Sequence, residues 1–480
     1  MAQGHLDRLS SVDAGFLAQE SPTTHMHIGG LATFAGEPPA IGDFLAHVRS
    51  RLHLVPRYRQ KLAFPPLDTG RPIWIDDPSF NLEYHVRHTA LPAPGTQHAL
   101  LDLAGRIFSQ PLDRGKPLWE LWLIEGTEGG GFALLSKTHH ALVDGISGVE
   151  LSSVLFDLSP DGPPEPIAPP EPWIPRPEPT AAALAAAGLE GAARAAAGVA
   201  AGAAGAAAHP QEVLARAREI AQGVGEVART ALSAPPPTPF NVAPGPHRRI
   251  RVVQAGLEEM KAVKNAFGGT INDVVLAVVS GALRYFMEER GQRTEGVQLR
   301  AAVPVSVRGE DQRDALGNQL TQIIAPLPIS VEDPVARLRQ VSEAMRGLKE
   351  SRQALGAKAI AALQDFAPPT IMAQASRLTF ADRFYNLLVT NVPGPQFPLY
   401  LLGHRLEAIF PVAFLAGDRA LAIAIISYDG GMNFGLIADY DALPDLDLVV
   451  EGIEGSLAEL EQAARPRARR RRSGGGAATG

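Results

Sequence analysis

Two adjacent histidines, His139 and His140, end the strand-like run Gly131 to Thr138, and after three apolar residues the pair Asp144-Gly145 marks a turn. Neighbouring side chains on a strand point to opposite faces, so the two imidazoles cannot share one job. One is expected to face packed core and the other a cavity. A neutral imidazole at a strand end, with its other ring nitrogen held, can take a proton from an alcohol near neutral pH. Two readings compete with this general base: a pair of packed core and turn histidines, and a metal site. The metal fits poorly, because adjacent strand histidines diverge and no further Cys or His ligands lie nearby. Gly145 lets the chain reverse where a Cβ is often not tolerated, and Leu151, Val154, Leu155 and Leu158 then have helical spacing.

The elements that must hold this stretch are mixed. A chain of 480 residues is too long for one ordinary core and implies two domains. Hydrophobic residues at 45% and charged residues at 20% are enough to bury large cores in an ordinary globular protein. The formal net charge of -7 gives a nucleic-acid partner no support. Without cysteine there are no disulfides, no thiolate metal sites and no cysteine nucleophile, which fits a reducing cytosol. Met1 to Phe16 lacks the basic region and apolar run of a secretory signal. The Ala/Gly stretch 181–208 is the candidate membrane span, but alanine is weakly apolar and the glycines are many, so an exposed or surface-associated helix is expected instead.

Residues 1–158 read as a first half. Ile41 to Leu54 is expected to be a helix, Asn81 to Leu91 a strand and Gln97 to Gln110 an amphipathic helix. The strand Leu121 to Ile124 then turns at Gly129 to Gly131 into the strand that carries the histidines. Residues 159–245, rich in Pro, Ala and Gly, read as a crossover linker with helices, and the Gly223-x-Gly225 within them follows no strand and binds no dinucleotide. Residues 246–464 form the second half, in which Thr270 and Asn272 are both suited to cap a long helix. The tail 465–480, with six arginines, reads as disordered and basic, suited either to anionic lipid or simply to solubility.

The motif His139-His140-x-x-x-Asp144-Gly145 resembles the signature of acyltransferases similar to chloramphenicol acetyltransferase, carnitine acyltransferases and peptide-synthetase condensation domains. Further blocks are similar to those of the bacterial wax ester synthase/diacylglycerol acyltransferase family. They are Leu9 to Asp13 with Phe16-Leu17, Pro111 to Glu120, Ile271-Asn272-Asp273, Val303 to Arg308, Gly317-Asn318, Thr390 to Pro395, Ser427 to Gly430, and Asn433-Phe434-Gly435. The blocks fall in order across nearly the whole chain outside the linker and tail. The resemblance implies an α/β (α+β) fold of two chloramphenicol-acetyltransferase-like domains, with mixed sheets flanked by helices and a channel between them.

It also implies a reaction: transfer of a long-chain acyl group from acyl-CoA to diacylglycerol, to a long-chain alcohol, or to both. His140 is then the general base and no acyl-enzyme forms, in agreement with the absence of cysteine and of a Gly-x-Ser-x-Gly elbow. Asn272 is the candidate for stabilising the oxyanion, or a helix cap and nothing more. Asp144 is a structural partner of Arg308 that aims the motif. His139 supports or packs, and Gly145 is a backbone necessity. Pro117, Leu118, Trp119, Asp273, Asn318, Asn391, Pro393 and Gly394 shape the fold or the acyl tunnel. Arg248, Arg249 and Arg251 could meet coenzyme A phosphates or form a basic surface turn. No cofactor is bound permanently, acyl-CoA being a co-substrate, and no metal is expected. The partners are acyl-CoA, the acceptor alcohol and the surface of a membrane or lipid droplet, with a homodimer allowed; the location is cytoplasmic, peripheral to the inner membrane or droplets. The rivals are a carrier-dependent condensation-type transferase and a lipid-binding or droplet protein.

Overall fold

In the computed structural model, residues 7–66, 70–143, 154–162, 172–191, 193, 197, 235–306, 320–350 and 384–474 are described. The first half runs β1 (Asp7–Arg8), α1 (Ser11–Gln19), β2 (His27–Phe34), α2 (Ile41–Arg51), β3 (Gln60–Ala63), β4 (Ile73–Asp76), α3 (Leu82–His85), β5 (Val86–Ala90), α4 (Gln97–Phe108), β6 (Trp119–Thr127), β7 (Gly131–His139) and α5 (His140–Val143). Helix α6 (Ala181–Gly191) follows in the linker. The second half runs β8 (Arg248–Gly256), α7 (Leu257–Phe267), α8 (Ile271–Glu289), β9 (Leu299–Ser306), β10 (Leu320–Leu327), α9 (Pro334–Glu350), β11 (Leu387–Pro393), β12 (Tyr400–Leu401), β13 (His404–Val412), β14 (Leu421–Tyr428), β15 (Gly431–Asp439) and α10 (Asp447–Gly474).

Two six-stranded mixed sheets dominate. The first has the order β12-β13-β2-β7-β6-β5 and the second β10-β9-β11-β14-β15-β8. Alternation along the strands gives each sheet two apolar faces. Phe34, Phe132, Leu134, Leu121 and Leu123 face the core under α2, whereas Leu31, Ala133, Leu135 and Ile124 face α4. The second sheet turns Leu421, Ile423, Ile425, Phe434 and Leu436 towards α7, α8, α9 and α10. Its other face, through Ile250, Ala302, Ala422, Ala424 and Ile437, joins the α4 side of the first sheet in one core shared by both halves.

Helix α8 is buried almost all round its middle, from Val274 to Leu283, as a helix packed on every side must be. Thr270 is its N-cap: the side chain accepts from the Asp273 N–H at 3.2 Å, and the Asp273 carboxylate accepts from the Thr270 N–H at 2.8 Å. This capping box satisfies two backbone donors reciprocally and leaves Asn272 out of the cap.

The two halves exchange chain across the boundary at residue 246. Strands β12 and β13 belong to the second half in sequence but lie in the first sheet, where β13 pairs with β2 from Leu406↔Phe34 to Val412↔Gly29. A strand edge left open on β2 is closed by chain from the other half. The close approach is visible at Gly435 on β15, where a Cβ would sit 1.8 Å from the Pro411 carbonyl oxygen. The linker is also tied down where it is described: Arg176 holds Asp76, and Phe240 is buried in the second core.

The tail departs from expectation as well, because α10 continues through the arginine run to Gly474. Arginine and alanine are good helix formers, and the run extends a helix already nucleated and packed. Residues 475–480 and 151–153 lie outside the described residues; of the expected Leu151 to Leu158 helix, Val154 and Leu155 are helical, but Asp157 forms a β-bridge with Tyr400 and Leu158 is exposed. The segment Leu82–His85 is a short helix before β5 rather than strand, because Asn81 caps it by accepting from the Glu83 N–H at 3.0 Å. Among the described residues no single helix is long and apolar enough to cross a membrane.

Candidate active site

Strand β7 ends at His139, paired across β2 with His27, and His140 opens α5. The two rings diverge. His139 is buried at 1% exposure, on the α4 side of the sheet. His140 is half-buried, its ring stacked on Phe16 of α1 at 4.1 Å and met edge-on by Phe414 at 5.6 Å. Phe16 comes from the first half and Phe414 from the chain that follows β13, so the two halves supply one aromatic wall each. The His140 backbone N–H donates to the Met26 carbonyl at 2.9 Å.

The His139 Nδ1 accepts the Ala141 N–H at 3.0 Å. A nitrogen that accepts carries no proton, so the proton of the neutral ring sits on Nε2. That Nε2 lies 3.3 Å from Oε1 of Glu20, facing the carboxylate without the alignment of a hydrogen bond. Glu20 is the hub beneath the motif. Its Oε1 also accepts the Met26 N–H at 3.1 Å and lies 3.7 Å from the His27 Nε2, while its Oε2 takes Nε and Nη2 of Arg114 at 3.2 and 2.5 Å. Burial would raise the Glu20 carboxyl, but His139, Arg114 and the Met26 N–H outweigh it and hold it at about 2.

The surroundings are basic. Lys137 is fully buried on β7, its ammonium donating to the carbonyls of Ile107, at 2.8 Å, and Gln110 at the end of α4. Those carbonyls carry the negative end of the helix dipole. Burial lowers its pKa to about 8. Burial and then the Lys137 charge push His27 well below its ordinary value, and burial followed by Arg248 lowers His25. These two histidines stack at 5.1 Å as neutral rings. Among the described residues no group of three or more His, Asp or Glu has the arrangement of a metal site.

Other residues singled out in the sequence take up clear positions. Trp119 is buried at the start of β6, its indole N–H donating to the Tyr58 carbonyl at 2.8 Å and its ring stacked on His85 at 4.6 Å. Leu118 accepts the His139 N–H at 3.0 Å, so Pro117-Leu118-Trp119 frames the motif strand through its backbone and through packing. Asn272 is half-buried in the first turn of α8, a helix that packs chiefly on α10, α9, α7 and β10, and Asp273 is spent on the capping box. Asn391 and Pro393 end β11 beside β14, where the chain leaves the second sheet for the first. A Cβ on Gly394 would lie 2.2 Å from the Ser427 carbonyl oxygen, so only glycine fits there. Asp144, Gly145, Arg308 and Asn318 lie outside the described residues.

The basic cluster is occupied by the protein itself. Arg248 binds the carbonyls of Gly245 and Thr23, and Arg251 pairs with Asp447 at 2.7 Å, so neither is presented to a phosphate. Arg249 lies over Tyr440 at 4.1 Å. Sequence reasoning missed Glu20, His25, His27 and Lys137. Their signal was a His-x-His at the start of β2 and a carboxylate just beyond α1, too slight without the pairing of β2 with β7.

Residues 9–275 match the wax ester synthase/diacylglycerol acyltransferase catalytic domain and residues 316–461 the WS/DGAT C-terminal domain. A putative diacylglycerol O-acyltransferase of Mycobacterium tuberculosis is 36% identical over 95% of this chain and 90% of its own length. A second, probable diacylglycerol O-acyltransferase of that organism is 32% identical over 98% and 99%. The solved wax ester synthase/diacylglycerol acyltransferase from Marinobacter aquaeolei superposes with a TM-score of 0.66 at 28% identity, over 95% of this chain and 99% of that one. The starter condensation domain of rhizomide synthetase shares the fold, with a TM-score of 0.57 at 14% identity over 96% and 94%.

Proposed function

The chain belongs to the wax ester synthase/diacylglycerol acyltransferase family, and we propose that His140 is the base of the O-acyl transfer it carries out. The protein is an acyl-CoA-dependent O-acyltransferase acting on diacylglycerol, a long-chain alcohol or both. The observation that carries the assignment to His140 is the divergence of the two rings: His139 is fully buried, its Nδ1 accepting the Ala141 N–H and its Nε2 turned to Glu20, whereas His140 is half-exposed where the two halves meet.

In the proposed step the alcohol proton passes to the His140 imidazole as the oxygen attacks the thioester carbonyl carbon. The tetrahedral intermediate collapses, the C–S bond breaks, and the departing thiolate of coenzyme A takes the proton back from His140. The products are an ester and free coenzyme A, and no covalent enzyme intermediate is needed. Phe16 covers one face of the ring and Phe414 meets it edge-on, which limits water beside the imidazole and favours the alcohol over hydrolysis. Asn272 remains our candidate for the oxyanion, on the strength of its place in the first turn of α8, where the helix dipole is positive. Asp144 and Arg308 are proposed to lock the turn after α5 as a charge-assisted pair.

An apolar product has to leave into lipid. We place the protein at the cytoplasmic surface of a membrane or on lipid droplets as a peripheral enzyme, because the ester it releases is apolar. The test of the catalytic reading is coenzyme A release from palmitoyl-CoA with either diacylglycerol or hexadecanol, for wild type and His140→Ala. Acceptor-dependent release should fall by roughly 10²- to 10⁴-fold in the variant. Undiminished release would remove His140 from the reaction.

A further inference from the structure

We infer that Glu20 is a positioning residue for acyl transfer: its carboxylate selects the His139 tautomer and fixes the backbone on both sides of the His140 ring. The inference rests on the reading of His140 as the base. Three routes run from this one side chain to that ring. Oε1 accepts the Met26 N–H at 3.1 Å, and the Met26 carbonyl in turn accepts the His140 N–H at 2.9 Å. The same oxygen faces the His139 Nε2 at 3.3 Å, and the Nδ1 of that ring accepts the Ala141 N–H at 3.0 Å. Oε2 is held by Arg114, whose Nη2 also donates to the Leu17 carbonyl at 3.1 Å, next to the Phe16 that stacks on His140.

The charge is what matters in the middle route. With a carboxylate at Nε2 the proton belongs on that nitrogen, and Nδ1 is left as an acceptor for the first turn of α5. In the other tautomer Nδ1 would carry a proton towards the Ala141 N–H, two donors would face each other, and α5 could not begin where it does. An attraction between a charge and an N–H falls off slowly with angle, so an imperfectly aligned contact at this distance still decides the tautomer in a buried site. Both carboxylate oxygens of Glu20 are occupied by the protein itself, Oε1 by Met26, His139 and His27 and Oε2 by Arg114. The influence of Glu20 has to pass through Met26, His139 and Phe16.

Glu20→Gln tests this, because the amide oxygen can still accept from Met26 while the charge is gone. Wild-type protein with 15N-labelled histidine should show His139 protonated on Nε2 near neutral pH, and the variant should show the Nδ1–H form or a mixture. A wild-type His139 carrying its proton on Nδ1 would overturn the inference whether or not the variant folds. With palmitoyl-CoA and hexadecanol, Glu20→Gln should lose roughly 10- to 100-fold in kcat with the KM for palmitoyl-CoA unchanged. Placing the same change on His139→Asn, which keeps an acceptor for Ala141 but cannot reach Glu20, should cost no more than His139→Asn alone. Additive losses, or a raised KM with kcat intact, would sink the positioning role. His140→Ala serves as the reference: if it stops turnover while Glu20→Gln does not, this inference fails and the base stands. If His140→Ala turns over normally, the base assignment fails, and the ring-nitrogen spectra still judge Glu20.

Discussion

Replacing Trp119 with phenylalanine should damage the fold and spare the chemistry. The indole is 1% exposed, donates its N–H to the Tyr58 carbonyl at 2.8 Å and stacks on His85 at 4.6 Å, while the His85 Nδ1 meets the Trp119 carbonyl at 2.8 Å. Phenylalanine keeps one stacking face but removes the N–H, which leaves the Tyr58 carbonyl without that donor at a cost of about 1–2 kcal/mol. The smaller ring also leaves a gap in a close-packed core, worth roughly another 1–2 kcal/mol. The total of about 2–4 kcal/mol is a large share of a folding free energy of about 5–15 kcal/mol. For a domain of this size it should lower Tm by roughly 5–15 °C. The assay is thermal unfolding beside the kcat of the monodisperse fraction well below Tm. We expect kcat per folded molecule to survive, because the ring reaches Tyr58 and His85 rather than the His140 side chain. An unchanged Tm with a collapsed kcat would mean that the ring meets substrate, and the structural account of Pro117-Leu118-Trp119 would be wrong.

Acid should expose the Glu20 network. Its folded pKa of about 2 lies below the ordinary 4.5, so the unfolded chain binds the extra proton between those values. The stabilisation is complete above 4.5 and is lost as pH falls towards 2, about 3 kcal/mol in all and about 2 of it by about pH 3. Urea midpoints of wild type and Glu20→Gln should therefore converge on acidification from about pH 6, and parallel curves would refute the linkage. Two glycine substitutions should act in opposite directions. Gly435→Ala would drive a Cβ to 1.8 Å from the Pro411 carbonyl oxygen, forcing β13 off β15, and should cut soluble yield or Tm sharply. Gly455→Ala on α10 meets nothing within 4 Å and should raise stability by up to about 1 kcal/mol; a lower Tm would count against the helix there.

The sequence was most legible where chemistry and periodicity coincide. His139 and His140 at the end of an apolar run announced a strand-to-helix junction with diverging rings, and β7 followed by α5 has that form. Thr270 and Asn272 each marked the start of a long helix, but the choice of Thr270 as cap, boxed with Asp273, depended on where the backbone turned. What could not be read was everything that depends on pairing between distant segments. Glu20 is 119 residues from His139 and becomes its neighbour only because β2 and β7 are in register at His27↔His139. The arginines of the 248–251 cluster looked like a phosphate site because their partners, Thr23, Gly245, Asp102 and Asp447, lie on other elements. Charge in a linear sequence is visible, whereas its neutralisation is a property of the fold.

That dependence also governs where the working unit begins and ends. The catalytic-domain match stops at residue 275, inside helix α8, whose N-terminal cap is at Thr270 and whose last turn is at Glu289. Residues 1–158, taken by themselves, would lack β12 and β13, leaving β2 an open edge from Gly29 to Phe34 beside the strand that carries the motif. They would also lack Phe414, one of the two walls of His140, and the second-sheet residues Ala422, Ala424 and Ile437 that complete the shared core. Burying that apolar face is worth far more than any polar contact across the junction, so the juxtaposition of the halves is set by packing and the aromatic slot around His140 follows from it. The motif supplies the base, but the slot around it exists only once chain from the second half has closed the first sheet.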